Sequence, residues 1–231
     1  MIYYLLFLYD FIIIYIKSIL HSTINYGINK KENNIYVSLT TIPSRSKDII
    51  FTINSILNQT IIPNKIFITI SKNNIREKYI NYKIPDEIKK NPLVEIIEIE
   101  KDNGPITKLY GGLLKCNHEN DIIITVDDDS IYNRYMIENI FNYSKKYQNQ
   151  VIGTIGRIDY QKKIFGYDFI KPFKVRLLEG YGGVGYRKKF FDIKDIDTNN
   201  LPKEVIFNDD IYLSYLLKNK DIELIIVPSK I

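Results

Sequence analysis

The stretch DIIITVDDD, residues 121–129, decides the fold, because a run of apolar residues ends there in three consecutive aspartates. Apolar residues on both faces are typical of a central parallel strand that helices cover from both sides. Asp127 and Asp129 are separated by one residue, so at a strand end they point to the same side. Carboxylates a few ångströms apart repel unless one is protonated or a cation lies between them. The stretch therefore predicts a buried strand that ends in a site for Mn²⁺ or Mg²⁺.

The three aspartates also have a purely structural explanation. They can form an Asx-turn that leads into a helix over residues 131–147, with Asp129 or Ser130 as its N-cap. In the first interpretation the cation would bridge two phosphate oxygens and stabilise the charge on a departing diphosphate. Both interpretations stay open on this evidence.

Strands and helices alternate on both sides of this stretch. Strands are expected at 35–42, 65–71, 94–100, 121–129 and 223–229, and helices at 46–58, 107–116, 131–147 and after residue 208. This alternation predicts an open α/β sheet flanked by helices, with its site at the carboxyl ends of the strands.

The composition limits the classes of function. The 231 residues include 45% hydrophobic and 26% charged residues, enough for one globular domain with an appendage. The net charge of +5 is spread along the chain without an arginine-rich stripe, so a nucleic-acid partner is disfavoured. One cysteine and two histidines leave no thiolate or histidine zinc site, so any metal would be held by oxygen.

The N-terminal residues 1–22 form a hydrophobic segment and a candidate membrane anchor. About a dozen Ile, Leu and Phe residues at roughly −0.3 to −0.6 kcal/mol each outweigh one Asp at about +2.5 to +3.5 kcal/mol. Asp10 and Lys17 interrupt the run. The alternatives are a peripheral amphipathic helix and a helix packed on the domain. We expect a polar linker over residues 23–34 and the main domain over residues 35–231.

The lysines near the segment lie on its C-terminal side, which favours a membrane-associated protein with a cytosolic domain. A soluble cytoplasmic protein is the alternative. A cleaved signal peptide is disfavoured, because the run has no basic start and no small-residue cleavage site.

Two later stretches carry further candidate residues. In FNDDIYLSYLLKN, residues 207–219, Asp209 and Asp210 lead a helix, where acids either favour the helix dipole or act as a general base. In GYGGVGY, residues 180–186, glycines allow close backbone approach and tyrosines offer flat faces to sugar rings, or the segment is a simple turn between strands.

Together these residues resemble the glycosyltransferases of the GT-A fold, close to the family 2-like group. The resemblance runs from about residue 36 to the C-terminus, and four segments carry it in order. They are VSLTTIPSR at 37–45, DNGPITKL at 102–109, VDDD at 126–129 and NDDIYLSYLL at 208–217, with GYGGVGY before the last.

The resemblance implies a metal-dependent enzyme of the hexosyltransferase type. Its donor would be a nucleotide-diphospho-sugar, its cofactor Mn²⁺ or Mg²⁺, and its acceptor a hydroxyl of a glycan, a lipid or a protein. The fold would be the open mixed sheet of GT-A enzymes.

The family motifs imply roles for particular residues. Thr40, Thr41 and Arg45 would face the nucleotide, with Asp102 as a second contact and Lys108 at the diphosphate or paired with an acid. Asp127, Asp128 and Asp129 match the DxD motif, in which Asp127 and Asp129 would hold the metal and Asp127 and Asp128 contact the nucleotide. Asp209 and Asp210 match the family's acidic pair, with Asp210 as the base. Tyr181, Gly182, Gly183 and Tyr186 would contact the acceptor.

The chain departs from the family in three ways. Asp209 stands where the family usually has Glu, the chain has no tryptophan, and the residues after 229 are too few for the elements that close over the donor in many relatives. Two other functions stay open: a haloacid-dehalogenase-like phosphatase, and a non-catalytic module that binds a nucleotide or sugar.

Overall fold

The computed structural model describes residues 2–20, 22–23, 30–31, 34–78, 80–159, 161–196, 198–199 and 201–229. For residues 2–7, 30–31 and 203 only the backbone is described. Of the predicted linker, residues 24–29 and 32–33 lie outside these ranges. Lys30–Lys31 of the same linker form a short strand that pairs in parallel with Ile61–Ile62, which the sequence did not predict.

The described residues form the following elements. The helices are α1 (Ile2–Ile19), α2 (Ile49–Leu57), α3 (Asp86–Lys90), α4 (Thr107–Lys115), α5 (Met136–Lys146), α6 (Lys203–Ile206) and α7 (Asp209–Asn219). The strands are β1 (Lys30–Lys31), β2 (Ile35–Thr40), β3 (Ile61–Ile62), β4 (Lys65–Asn73), β5 (Val94–Lys101), β6 (Ile122–Thr125), β7 (Gln150–Gly153), β8 (Ile155–Arg157), β9 (Lys163–Phe165), β10 (Phe173–Val175), β11 (Leu177–Leu178), β12 (Val184–Arg187) and β13 (Glu223–Ile226).

The main sheet has eight strands in the order β10-β13-β7-β12-β6-β2-β4-β5. β5, β4, β2 and β6 are parallel, whereas β12 is antiparallel to both β6 and β7. A smaller sheet consists of β11, β8 and β9, which lie between β7 and β12 along the chain. The predicted α/β class and open mixed sheet are confirmed.

Helices cover the main sheet on both faces. On one face, residues of α2 and α5 pack against side chains such as Ile35 and Ile124. On the other face, α4 and α7 pack against side chains such as Phe67 and Ile123. Successive strand residues point to opposite faces, so the short apolar strands each contribute to both cores. This burial from both sides is what the apolar stretch at 122–126 requires.

The N-terminal helix α1 packs on α2. Ser18 donates a hydrogen bond to the Ile50 carbonyl and accepts one from the Asn54 amide, and Asp10 forms an ion pair with Arg134. In the part of the chain that the structure describes, no helix is both long and apolar enough to cross a membrane. Of the three possibilities for this segment, the helix packed on the domain is the arrangement observed.

The helix predicted over residues 131–147 begins five residues later, at Met136. Tyr135 is its N-cap residue, so neither Asp129 nor Ser130 caps it, and the capping explanation of the three aspartates is wrong. Residues 126–135 form a loop instead. Thr52 of α2 holds this loop by hydrogen bonding to the carbonyls of Asp128 and Ser130.

Candidate active site

The candidate site is a cleft at the carboxyl ends of the central parallel strands. β2 and β6 pair in parallel with Ser38 opposite Thr125, near the carboxyl end of each strand. The residues that follow the two strands therefore lie side by side. The cleft is lined by Thr40, Thr41, Ile42, Arg45, Ser71, Asn74, Arg76, Tyr82, Asp102, Gly104, Pro105, Lys108, Asp127, Asp128, Asp129, Asp209 and Asp210. Every residue predicted for metal, nucleotide or catalysis lies in this set, whereas the four predicted acceptor residues do not.

The first aspartate of the cluster is fixed by two contacts. The Asp127 backbone N–H donates to the hydroxyl of buried Tyr132, at 2.7 Å. One Asp127 carboxylate oxygen accepts a hydrogen bond from the Lys108 ammonium, at 2.6 Å. About a third of the Asp127 side chain remains exposed to the cleft. Its carboxylate is therefore oriented by the protein and still accessible to a ligand.

The second aspartate is buried beneath the cleft floor. Asp128 accepts a 2.6 Å hydrogen bond from the Thr41 hydroxyl and lies 3.1 Å from an Arg45 nitrogen. Burial raises the pKa of the Asp128 carboxyl, although Thr41 and Arg45 act in the opposite direction. Asp128 thus ties the turn after β2 to the loop after β6, and its predicted contact with the nucleotide stays a prediction.

The third aspartate faces solvent. Asp129 has a side chain that is 56% exposed, and it pairs with Arg45 at 2.7 Å. The Arg45 side chain is itself 39% exposed, so water screens this ion pair and its contribution to stability is small. Of the three carboxylates, Asp129 is the one that an incoming cation can reach most easily.

Lys108 is the central cation of the site. Its side chain is 5% exposed and lies 2.6 Å from Asp127 and 3.0 Å from Asp209. Burial alone would lower the pKa of the Lys108 ammonium, but the charges of Asp209, Asp127 and Asp210 raise it well above its ordinary value. Lys108 is therefore a permanent positive charge that joins the strand-end cluster to the acidic pair of α7.

The acidic pair has two different environments. Asp209 is buried against Lys108, whereas Asp210 accepts the Gly180 backbone N–H at 3.1 and 3.0 Å. Burial, followed by the charge of Asp209, raises the pKa of the Asp210 carboxyl to about 7. A carboxyl with a pKa near neutrality is suited to general base catalysis.

Gly180 is a glycine because its surroundings leave no room for a side chain. A Cβ at this position would lie 2.8 Å from the Lys108 nitrogen and 3.1 Å from an Asp210 oxygen. The turn therefore brings a backbone N–H directly to the acidic pair. The sequence analysis noted the glycine-rich segment but did not identify this contact.

The predicted nucleotide residues away from the aspartates are partly engaged by the protein. Asp102 accepts backbone N–H groups from Ile75 and Gly104, at 2.9 and 2.8 Å, so it joins the loops after β4 and β5. The Thr40 hydroxyl donates to the Thr69 carbonyl across neighbouring strands. Both residues line the cleft, and their contact with a nucleotide stays a prediction.

Sequence reasoning missed the cleft residues at the end of β4 and in the loop that follows it. Ser71, Asn74, Arg76 and Tyr82 line the cleft, and the Ser71 hydroxyl is buried without a hydrogen-bond partner among the described residues. The Arg76 guanidinium lies 4.7 Å from the centre of the Phe207 ring, which links this loop to the segment before α7. The available signal was the position of these residues after a parallel strand.

The predicted acceptor residues are placed elsewhere. Tyr186 is 4% exposed and packs in the core against Phe191, so the prediction that its ring faces a sugar is not supported. Tyr181 is partly exposed, but Lys163 donates to its hydroxyl and lies over its ring. A Cβ on Gly182 would lie 2.6 Å from Ile155, and Gly183 has a φ of +85°. These two glycines serve the packing and the turn.

The carboxylates of the cleft fit a divalent cation only together with a ligand that supplies further oxygen atoms. In the described part of the chain, no group of three or more His, Cys, Asp or Glu side chains is arranged to hold a metal ion. Mg²⁺, however, is usually bound through one or two carboxylates, several waters and substrate phosphates. Asp127 and Asp129, both partly exposed at the cleft, match that requirement.

Comparison with protein families defines the class. The model of glycosyl transferase family 2 matches residues 42–208, more than half of the chain. The chain therefore belongs to glycosyl transferase family 2, and it is a glycosyltransferase with the GT-A fold that uses a nucleotide-sugar donor. A comparison with curated proteins gives no match.

The matched region begins in the turn after β2 and ends immediately before the acidic pair. It contains Arg45, Lys108 and the three aspartates. Membership of this family supports glycosyl transfer rather than the phosphatase alternative.

Proposed function

We propose that the protein is a metal-dependent hexosyltransferase that moves a sugar from a nucleotide-diphospho-sugar to a hydroxyl of a glycan, lipid or protein. The observation that carries metal dependence is the charge of the cleft. Its lining includes six aspartates but only three cationic side chains, Arg45, Arg76 and Lys108. A diphosphate entering this cleft meets an excess of negative charge, which an added cation would offset.

We assign the metal to Asp127 and Asp129. Lys108 holds one oxygen of Asp127, which leaves the other oxygen for the cation. When bound, Mn²⁺ or Mg²⁺ would supply Lewis-acid stabilisation of the charge on the departing diphosphate. With a cation on Asp129, the Arg45 guanidinium would be free to contact the phosphates of the donor.

We assign the general base to Asp210. Its carboxylate takes the proton of the acceptor hydroxyl as the hydroxyl oxygen attacks the sugar carbon and the bond to the diphosphate breaks. Gly180 orients the Asp210 carboxylate, and burial together with the charge of Asp209 raises the pKa of Asp210. Thr40, Thr41 and the loop after β4 hold the nucleotide.

The test is turnover of a panel of UDP-, GDP- and CMP-sugars with Mn²⁺, measured as nucleotide released with and without candidate acceptors. The wild-type chain should turn over one donor class, and EDTA should abolish turnover. Asp210→Asn should lose transfer by at least a hundredfold while its affinity for the donor changes little.

Asp221→Asn is the matched control, because Asp221 is exposed just beyond the C-terminal end of α7 and has a φ of 54°, which Asn tolerates. This variant should retain wild-type turnover. Binding of a nucleotide-sugar without turnover by the wild-type chain would instead support the non-catalytic binding module.

A further inference from the structure

The N-terminal helix α1 is attached to the domain by a narrow stripe that contains both polar and apolar side chains. Asp10, Ile14 and Ser18 are buried at intervals of four residues, so they form one inward stripe. Asp10 pairs with Arg134, and Ser18 hydrogen bonds to α2. A helix that docks on a water-soluble core normally buries its wide apolar side, whereas α1 buries only this narrow stripe.

The outward side of α1 is apolar over three turns. Eight large side chains on it are each more than a third exposed: Leu8, Tyr9, Phe11, Ile12, Tyr15, Ile16, Ile19 and Leu20. At 3.6 residues per turn these side chains cover about half of the helix circumference. Monomeric soluble proteins rarely expose contiguous apolar patches larger than a few hundred Å².

The arrangement of residue types within this surface indicates its partner. On the helix circumference, Ile12 and Ile19 lie near the middle of the apolar side, Tyr9 and Leu20 toward one edge, and Tyr15 and Phe11 toward the other. Exposed Lys17 follows at the border with the buried stripe. An aliphatic centre, aromatic side chains toward both edges and an exposed lysine at the border match the layers of a lipid interface.

A second copy of the chain fits this surface less well. Contact between two helices uses a stripe narrower than half of the circumference, so it would leave several of the eight side chains in water. A flat bilayer surface can cover the whole apolar side at once. The positive charge of Lys17 and the net charge of +5 complement an anionic bilayer.

We propose that α1 is a monotopic membrane-docking helix. Its outward side lies in the headgroup region of an anionic bilayer, parallel to the surface, while its inward stripe holds the glycosyltransferase domain. This membrane association is independent of metal and donor.

The test is co-sedimentation of the full chain with vesicles of phosphatidylcholine alone, or of phosphatidylcholine and phosphatidylglycerol in equal parts. The wild-type chain should sediment with the mixed vesicles. The double variant Ile12→Glu and Ile16→Glu, at half-exposed positions, should lower the vesicle partition coefficient at least tenfold. Lys17→Glu should weaken binding to the mixed vesicles and leave binding to phosphatidylcholine unchanged.

The matched control is Leu114→Glu, because Leu114 is 45% exposed on α4, on the opposite face of the sheet. It should sediment like the wild-type chain. Nucleotide release without vesicles should be the same in all four proteins, which separates this proposal from the proposed function.

Three results would overturn the proposal. The first is that the wild-type chain stays in the supernatant with both vesicle types. The second is that the folded double variant sediments as the wild type does. The third is a wild-type dimer that the double variant dissociates while neither protein binds vesicles, which would show that a second copy covers the surface.

Discussion

At the scale of single residues, the site depends on how buried charges are paired. Lys108 lies between two carboxylates that would otherwise be buried or half-buried without a partner. Removing one partner of a buried ion pair typically costs about 3 to 5 kcal/mol, because the remaining charge loses its compensation. Lys108 is therefore both a structural and a functional residue, and the family resemblance alone left these two roles open.

The raised pKa of Asp210 predicts a pH dependence of transfer. The carboxyl must lose its proton to act as a base, and burial raises its pKa from 3.8 to about 7. Lys108, Asp209 and Asp127 are the charged groups that face it, and the charge of Lys108 is permanent. We expect kcat/KM to fall about tenfold per pH unit below about 7. A flat profile between pH 5 and 8 would contradict the assignment.

The raised pKa of Asp210 also makes the stability of the protein depend on pH. Because the native state binds this proton more tightly than the unfolded state, the free energy of unfolding falls as the pH rises from about 4 to about 7. Asp210→Asn has no carboxyl to ionise in this buried position. The variant should therefore be more stable than the wild type at pH 8 and similar to it at pH 4. Urea unfolding at the two pH values measures the difference.

The residue types of the site were predictable, but their pairing was only partly so. Three aspartates after an apolar run are a local signal, and Asp127, Asp128 and Asp129 all line the cleft. Pairing of Lys108 with an acid was one of two alternatives, and that of Arg45 was not predicted. Arg45 follows β2 and Lys108 lies in the first turn of α4, so their distances to the aspartates depend on the register of distant strands. Tyr186 follows a glycine-rich segment but lies within β12, where a strand position buries it.

At the scale of elements, each predicted strand and helix has an observed counterpart, but β6 and β13 end earlier than predicted, α5 begins later, and the strands β7 to β12 were not predicted. The residues 131–135 have a helical pattern, yet Tyr132 turns inward and its hydroxyl holds the Asp127 backbone. Such a contact uses tertiary structure that a local pattern does not contain. The loop that results is what places the aspartates at the cleft.

A substitution in the short turn Gly180–Gly182 should affect the rate of transfer separately from the affinity for the nucleotide. In Gly180→Ala the new Cβ would press on the Lys108 nitrogen, which ion pairs hold in place, and on the Asp210 carboxylate. A displaced base lowers the rate far more than the affinity for donor, so kcat should fall at least tenfold with little change in nucleotide binding.

Gly185→Ala is the control for this prediction. Its Cβ would lie 2.4 Å from Ile140 in the core, away from the cleft. It should lower the thermal midpoint and leave the kcat of the folded protein unchanged. Equal effects of the two variants on kcat would show that Gly180 acts only through packing.

At the scale of the whole molecule, the cleft and the helix α1 lie in different parts of the fold. The cleft lies at the carboxyl ends of the central strands, and the helix α1 lies outside α2 on one face of the sheet. The alternation of strands and helices was enough to predict the sheet and the edge that carries the site. For α1 the sequence left three arrangements open, because its apolar residues suggest burial or a membrane span, whereas the stripe that contacts the domain includes Asp10 and Ser18 as well as Ile14.

Metal-dependent binding of the donor is the central claim, and a thermal-shift measurement tests it most directly. The full chain is heated with UDP, GDP or CMP, each with Mn²⁺ or with EDTA. One nucleotide at 100 times its Kd should raise the Tm by about 5 to 10 °C, and only with Mn²⁺. Asp129→Ala should lose this shift. An equal shift in EDTA, an unchanged shift in Asp129→Ala, or no shift with any nucleotide would contradict the account.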